Sequence, residues 1–122
     1  MVRTQGLTHI HLVVRDLERS LRFYCDVFGM CEQFRAGPKM VFLNTAGSRD
    51  MITLNEDPAA AAAAGTMGGI AHFGFRLEDA SQLDAAIAEV ERAGGKLVER
   101  GKHGGLAPYA YVTDPDGYVI EL

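Results

Sequence analysis

The sequence has few cysteines, no long apolar run and no excess of basic residues. Cys25 and Cys31 lack the CxxC spacing, which favours two reduced thiols in a cytoplasmic protein. No apolar run approaches the ~18 residues that a membrane span needs. The opening MVRTQGLTHIHLVV is interrupted by polar residues, so it does not have the pattern of a secretion signal. A net charge of −4 provides no basic stripe for phosphates, and we expect neither a nucleic-acid nor a membrane partner.

The apolar content is high enough for a folded core. Apolar residues make up 48% of the 122 residues, which is too much for a disordered chain. This length suits one compact domain, residues 1–122, or two very small halves fused into one.

The first half of the chain predicts one strand, one helix and three further strands. Residues 9–14 are rich in β-branched side chains, as in a strand. Residues 16–30 have apolar side chains at helical spacing, with Asp16 placed as an N-cap and Gly29 near the end. Three strands follow, at residues 32–35, 40–44 and 51–55.

An alanine-rich segment, residues 57–69, separates this pattern from a second copy of it. Six alanines follow Pro58, which we place at the first position of one or two helical turns, and glycines then mark a linker. The second half then predicts a strand at 72–77, a helix at 79–95 and three strands, at 96–100, 109–113 and 118–122.

The two halves align residue by residue. Seven positions separate His9 from Asp16, and seven separate His72 from Asp79. At an offset of 68, MITL lies over VIEL, which sets Thr53 against Glu121. We therefore predict an α+β fold of two βαβββ modules, at about residues 6–56 and 70–122.

Alternation along the strands places donor side chains on one open face of the sheet. His9 and His11 point away from the apolar face, and the same reasoning puts His72 and Glu121 on the side that the helices leave uncovered. Two imidazoles and a carboxylate suit non-haem Fe(II), or Mn(II) or Zn(II) as a Lewis acid. His9, His72 and Glu121 are therefore candidate ligands of one divalent metal ion.

Five features follow one another along the chain: a histidine, DLERSLRFY, FGM, a second histidine and DPDGYVIEL. This order resembles that of the vicinal oxygen chelate superfamily across essentially the whole chain. That superfamily includes glyoxalase I, bleomycin-resistance proteins, fosfomycin-modifying transferases and type I extradiol dioxygenases. The resemblance implies a cup-shaped half-barrel sheet with helices on its outer face, and a metal held by His9, His72 and Glu121. It also implies a homodimer, often with modules exchanged, and a sheet edge in each module is available to a partner.

Within the superfamily, the C-terminal stretch is most similar to the extradiol signature. His103, Tyr111, the DPDG turn and Glu121 occupy its places, although Ala110 stands where a larger apolar residue is usual. Glyoxalase I normally has a second glutamate where this chain has Thr53. An acid–base histidine expected shortly before His72 is missing, and we assign that role to His11 instead.

The predicted open face also suggests a binding pocket that is apolar with polar tips. Its members include the candidate substrate-binding residues Phe42, Met51 and Tyr109, and Arg76 is placed to hold a carboxylate. Tyr111, His103 and His11 are the candidate catalytic residues. The predicted partner is a small molecule that chelates the metal.

We expect a metal-dependent enzyme of the extradiol dioxygenase type, with Fe(II) or Mn(II) favoured over Zn(II) or Ni(II). The alternatives are a glyoxalase-like lyase or isomerase, and a metal-free protein that binds a small molecule or drug. A protein-interaction module is a further hypothesis, which the three donor residues argue against.

Overall fold

The chain forms two compact units in the computed structural model, which describes residues 1–3, 5–66, 68 and 70–122. The units are Met1–Ala61 and Ala62–Leu122. The division between them falls within the segment predicted as a linker, of which Met67 and Gly69 lie outside the described residues.

The first unit has the predicted β-α-β-β-β order. Its elements are β1 (Ile10–Val14), α1 (Leu17–Phe28), β2 (Met30–Arg35), β3 (Met40–Thr45) and β4 (Ile52–Glu56). The strands form one mixed sheet in the order β1-β4-β3-β2, in which β1 runs parallel to β4 and the other pairs are antiparallel.

Local chemistry sets both ends of α1. Asp16 accepts a 2.9 Å hydrogen bond from the backbone N–H of Arg19, as an N-cap does. Gly29 has a φ of 64°, and its N–H donates to the Cys25 carbonyl oxygen at 3.0 Å. This left-handed conformation is easily adopted by glycine and ends the helix. The apolar face of α1 is buried, with Tyr24 completely so.

The second unit repeats this order. Its elements are β5 (Phe73–Gly74), α2 (Leu83–Arg92), β6 (Lys96–His103), β7 (Ala107–Thr113) and β8 (Val119–Glu121). The sheet order is β5-β8-β7-β6, with β5 parallel to β8. The predicted α+β class is therefore confirmed, with two four-stranded mixed sheets and a principal helix in each unit.

Several predicted boundaries in the second half were wrong. The strand at 72–77 is reduced to β5, although the Phe75 N–H still donates to the Glu121 carbonyl oxygen at 2.9 Å. The helix at 79–95 begins as a 3₁₀ turn, Ala80–Gln82, because the Asp79 side chain accepts from the Ser81 N–H. Strands β6 and β7 extend beyond their predicted lengths, because their ladder continues to the His103–Ala107 pair.

The alanine segment forms a single 3₁₀ turn, Ala60–Ala63. The Asp57 side chain caps the turn by accepting from the Ala60 N–H at 3.1 Å, and the Asp57 carbonyl oxygen accepts from the Ala61 N–H at 2.9 Å. Pro58 directly follows this cap, as its predicted place at the first helical position requires. Further along, a Cβ on Gly65 would lie 2.2 Å from the Gly117 carbonyl oxygen. The backbone at Gly65 therefore packs directly on the turn before β8.

The predicted facing is confirmed for β1 and β8, whereas Thr53, predicted on the uncovered face, is buried, and Phe73, predicted as core, is only half-buried. Leu12 and Val14 are buried while His11 is exposed. In the second sheet Ile120 is buried and its neighbour Glu121 is partly exposed. Among the described residues, no helix is long and apolar enough to cross a membrane.

Candidate metal and substrate site

The turn between β7 and β8 positions Glu121. The buried Asp114 carboxylate accepts three backbone hydrogen bonds on one oxygen, from Asp116, Gly117 and Tyr118, each at 2.9 Å. These bonds stabilise the tight turn, as Asp side chains commonly do by accepting hydrogen bonds from nearby backbone N–H groups. Strand β8 then pairs with β7 so that Glu121 lies opposite Tyr111.

Two imidazoles meet the Glu121 carboxylate, one on each oxygen. The Nε2 atom of His103 lies 2.8 Å from Oε1, and that of His72 lies 3.0 Å from Oε2. The hydrogen bond from His103, with the charges of the two histidines, holds the pKa of Glu121 below its usual value. Glu121 is therefore a carboxylate at neutral pH.

The donor chemistry of His72 and Glu121 fits a divalent first-row metal. Imidazole nitrogen and carboxylate oxygen are ligands that such ions accept. A carboxylate only accepts hydrogen bonds, so the Nε2 atoms of His72 and His103 are the donors in these two contacts. A metal ion held by Nε2 of His72 would take the place of the donor hydrogen on that atom. Among the described residues, no three His, Cys, Asp or Glu side chains are grouped as a ready-made metal site.

Aromatic rings lie beside these imidazoles. The ring of Tyr111 is 4.9 Å from that of His72, centroid to centroid, at a tilt of 52°. Tyr109 stacks on His103 at 4.2 Å and 20°, and its hydroxyl donates to Glu99 at 2.8 Å. That hydrogen bond raises the pKa of the Tyr109 hydroxyl, which therefore stays protonated.

A cavity of about 590 Å³ opens beside Glu121. Its lining includes three residues that the sequence singled out besides Glu121, namely Arg76, His103 and Tyr109. Most of the remaining lining is apolar, and this combination is typical of small-molecule sites. Arg76 is exposed there and could bind a negatively charged group.

In the first unit, His11, Thr53 and Phe42 lie side by side on one face. They are register neighbours across β1, β4 and β3. Thr53 is only 1% exposed, and its hydroxyl has no hydrogen-bond partner among the described residues. Phe42 stacks face to face on Phe34 at 4.3 Å. The row combines an aromatic surface with an unsatisfied polar group.

Two predicted residues of the first unit lie just outside its strands. His9 precedes β1, is exposed, and places Nδ1 2.9 Å from the Thr8 hydroxyl. Met51 precedes β4, and its carbonyl oxygen accepts from the Ile10 N–H at 3.1 Å.

The second unit thus brings together five predicted residues: His72, His103, Tyr109, Tyr111 and Glu121. Sequence reasoning missed Glu99 and Phe34. Glu99 lies on the same side of β6 as His103, but the predicted strand ended at Arg100, so alternation did not connect the two residues. Phe34 required the cross-strand register, which a bulge between Glu32 and Phe34 shifts.

Comparison with known proteins gives one family for almost the whole chain. Residues 6–122 match the model of the Glyoxalase/Bleomycin resistance protein/Dioxygenase superfamily. A catechol-2,3-dioxygenase of Bacillus subtilis is 34% identical over 119 residues, which are 94% of this chain and 41% of that protein. A probable lactoylglutathione lyase of Synechocystis is 31% identical over 125 residues, covering 95% of this chain and 92% of the relative. The chain thus spans less than half the length of the Bacillus relative.

Solved structures share the fold. The fosfomycin resistance protein FosX of Listeria monocytogenes superposes with a TM-score of 0.78 at 23% identity, covering 98% of this chain and 93% of that one. A variant of that protein, with a TM-score of 0.77, 23% identity and coverage of 98% and 90%, was solved with Mn(II) and 1S,2S-dihydroxypropylphosphonic acid.

Proposed function

Since the chain belongs to the Glyoxalase/Bleomycin resistance protein/Dioxygenase superfamily, we propose that it is a metal-dependent enzyme of the extradiol dioxygenase type. Its substrate would be a small molecule that chelates the metal through two adjacent oxygens. The observation that carries this proposal is the Glu121 carboxylate with an imidazole nitrogen on each oxygen.

The proposed metal ligands are His72 and Glu121, with His9 as the third. His72 and Glu121 are supported by their 3.0 Å contact. His9 is supported by the internal repeat, in which it occupies the position of His72. Fe(II) or Mn(II) is favoured, because two imidazoles and one carboxylate suit these ions and a structural relative contains Mn(II).

Three observations favour dioxygenation over a lyase or isomerase reaction. The Bacillus relative named as a catechol dioxygenase is 34% identical, and His103, Tyr111 and Glu121 occupy the places of the extradiol signature. Thr53 also lacks a carboxylate, so it cannot supply the acid–base group that glyoxalase I normally has there. The lyase remains the second candidate, because the Synechocystis relative is 31% identical and bears that name.

When bound, the metal would act as a Lewis acid on the chelating oxygens of the substrate. His103 can donate the Nε2 proton that it holds toward Glu121. The Tyr111 hydroxyl, beside the His72 ring, would hydrogen-bond a substrate oxygen. Arg76, which lines the cavity, would pair with a substrate carboxylate. Phe42 and Met51 would provide apolar contacts, and His11 would act as a base.

The decisive experiment is elemental analysis of protein purified without chelator or histidine tag. We expect about one Fe or Mn per chain, and no retained metal in Glu121→Ala or His72→Ala, since each removes a direct ligand. Glu91→Ala, which alters an exposed carboxylate on α2, is the matched control and should retain the metal.

The result separates the candidate functions. Bound Fe or Mn calls for an anaerobic catechol-binding screen followed by oxygen addition, and Zn or Ni for lyase assays. Metal retained in both ligand variants would contradict the proposed site. A protein that takes up no metal on reconstitution, yet binds small aromatic ligands, would be a metal-free binding protein instead.

A further inference from the structure

We infer that Glu99 and Tyr109 form a clamp over Gly101 that positions His103 beside Glu121. This inference rests on the proposed function of the Glu121 site. It adds Glu99 to that site and gives Tyr109, already a candidate substrate-binding residue, a second role; neither residue belongs to the extradiol signature. Glu99 and Tyr109 are positioning residues, because they act on the site through His103.

The clamp depends on Gly101, which has no side chain on the face of β6 that Tyr109 covers. Glu99, Gly101 and His103 are spaced by two, so they share one face of the strand. Gly101 pairs with Tyr109 across the hairpin. A Cβ on Gly101 would lie 2.8 Å from the Tyr109 hydroxyl oxygen and 3.0 Å from two carbons of its ring. The tyrosine ring therefore lies across β6 in the space that glycine leaves.

The Tyr109 side chain contacts one partner through its hydroxyl and another through the face of its ring. Its hydroxyl donates to Oε1 of Glu99 at 2.8 Å, and its face stacks on the His103 imidazole at 4.2 Å and 20°. The hydrogen bond fixes the ring along β6, and the ring then supports the imidazole from one side. Beyond the imidazole, Nε2 reaches Glu121 at 2.8 Å.

His103 needs such support because it is the last residue of β6 and its side chain is 59% exposed. An exposed side chain samples several rotamers, and restricting it costs conformational entropy. Stacking on an immobilised ring reduces the number of those rotamers before any substrate or metal binds. The Nε2 atom is thereby kept beside the carboxylate.

A tyrosine over a glycine can also serve simply to stabilise a hairpin. The two roles predict different results for variants of Glu99. A stabilising role would lower the melting temperature of the variants without moving the imidazole. A positioning role would release His103 while the hairpin stays folded.

The test compares Glu99→Ala and Gly101→Ala with Glu99→Gln, whose amide oxygen can still accept the tyrosine hydrogen bond. Glu99 is exposed, so its variants should fold even if Gly101→Ala does not. Lys102→Ala, on the opposite face of β6, is the control. The first readout is the nuclear Overhauser effect between the rings of Tyr109 and His103 in metal-free protein. The second is the affinity for Mn(II) alone by calorimetry.

We expect Glu99→Ala and Gly101→Ala to lose the ring-to-ring signal and to bind Mn(II) about 10-fold more weakly, the scale of a partner that orients a metal ligand. Glu99→Gln and Lys102→Ala should match the wild type. An unchanged ring signal in both Glu99→Ala and Gly101→Ala would overturn the clamp. If the wild type binds no Mn(II), the proposed function fails, while the ring signal still decides the clamp.

Discussion

Glu121 and Thr53 occupy equivalent positions of the internal repeat but have different surroundings. Glu121 is partly exposed and contacts two imidazoles, as its open-face position and the histidine pattern suggested. Thr53 is almost completely buried, with its hydroxyl unpaired among the described residues. Strand alternation predicts which face a side chain occupies, but neighbouring strands determine how far that side chain is covered.

At the same scale, the two cysteines should differ in reactivity. Burial, followed by the nearby charge of Asp26, raises the pKa of the Cys25 thiol, so less of it is the reactive thiolate at a given pH. Cys31 is exposed. With a limiting amount of iodoacetamide at pH 8, we expect mass spectrometry to find the label first on Cys31.

The single variants Cys25→Ser and Cys31→Ser provide the controls for this assignment. Folded Cys31→Ser should react more slowly than folded Cys25→Ser, and the two should react alike in denaturant. Faster labelling of Cys25 in the folded wild type would contradict the burial described here.

At the scale of elements, the features predicted well are those set by adjacent residues. Asp16 and Gly29 bound α1 as expected, because their caps use local hydrogen bonds. The extent of β5 could not be predicted, since the apolar alternation through Leu77 continues after the chain leaves β8. The contact between Tyr109 and Glu99 was missed for a related reason: it depends on how β6 and β7 pair.

The turn before β8 gives a stability prediction. Replacing Asp114 by Ala removes the acceptor of three backbone N–H groups in a buried turn. We expect the free energy of unfolding to fall by about 2–3 kcal/mol, the cost of leaving buried donors unsatisfied. Urea unfolding followed by circular dichroism measures this change.

A second aspartate tests whether the effect is specific to the turn. Asp84 is 79% exposed and pairs with Arg100 at 2.7 Å. Exposed ion pairs contribute little, so Asp84→Ala should change the free energy of unfolding by less than about 1 kcal/mol. Equal losses in the two variants would show that the turn has no special role.

At the scale of the whole molecule, the two units share an architecture but differ in chemistry. The second unit contains the imidazoles around Glu121, and the first contains the stacked pair of Phe34 and Phe42. The order of strands and helix along each unit was predicted from the repeat, whereas the order of the strands within each sheet was not. The half-barrel and the homodimer stay predictions. Each sheet has two edge strands, β1 and β2 in the first and β5 and β6 in the second, and an edge strand is where a partner strand could add.

Exchange of modules between two chains can be tested by mixing variants. When each variant is tested separately, neither His9→Ala nor Glu121→Ala should bind Mn(II). If the ligands of one site come from two chains, unfolding and refolding the two variants together produces mixed dimers. One of the two sites in each mixed dimer then has all its ligands, so about one quarter of all sites are intact. Calorimetric titration with Mn(II) counts the restored sites.

The matched control mixes His72→Ala with Glu121→Ala. Both substitutions fall in the second unit, so no exchange of units can rebuild a complete set there. If the mixture of His9→Ala and Glu121→Ala binds no more Mn(II) than this control, exchange is contradicted and all three ligands come from one chain.

The contact between Gly65 and Gly117 has a mechanical consequence. The alanine segment continues into a backbone that packs on the turn preceding Glu121. A pulling force along that segment would therefore reach the turn before it reached the strands of the second unit.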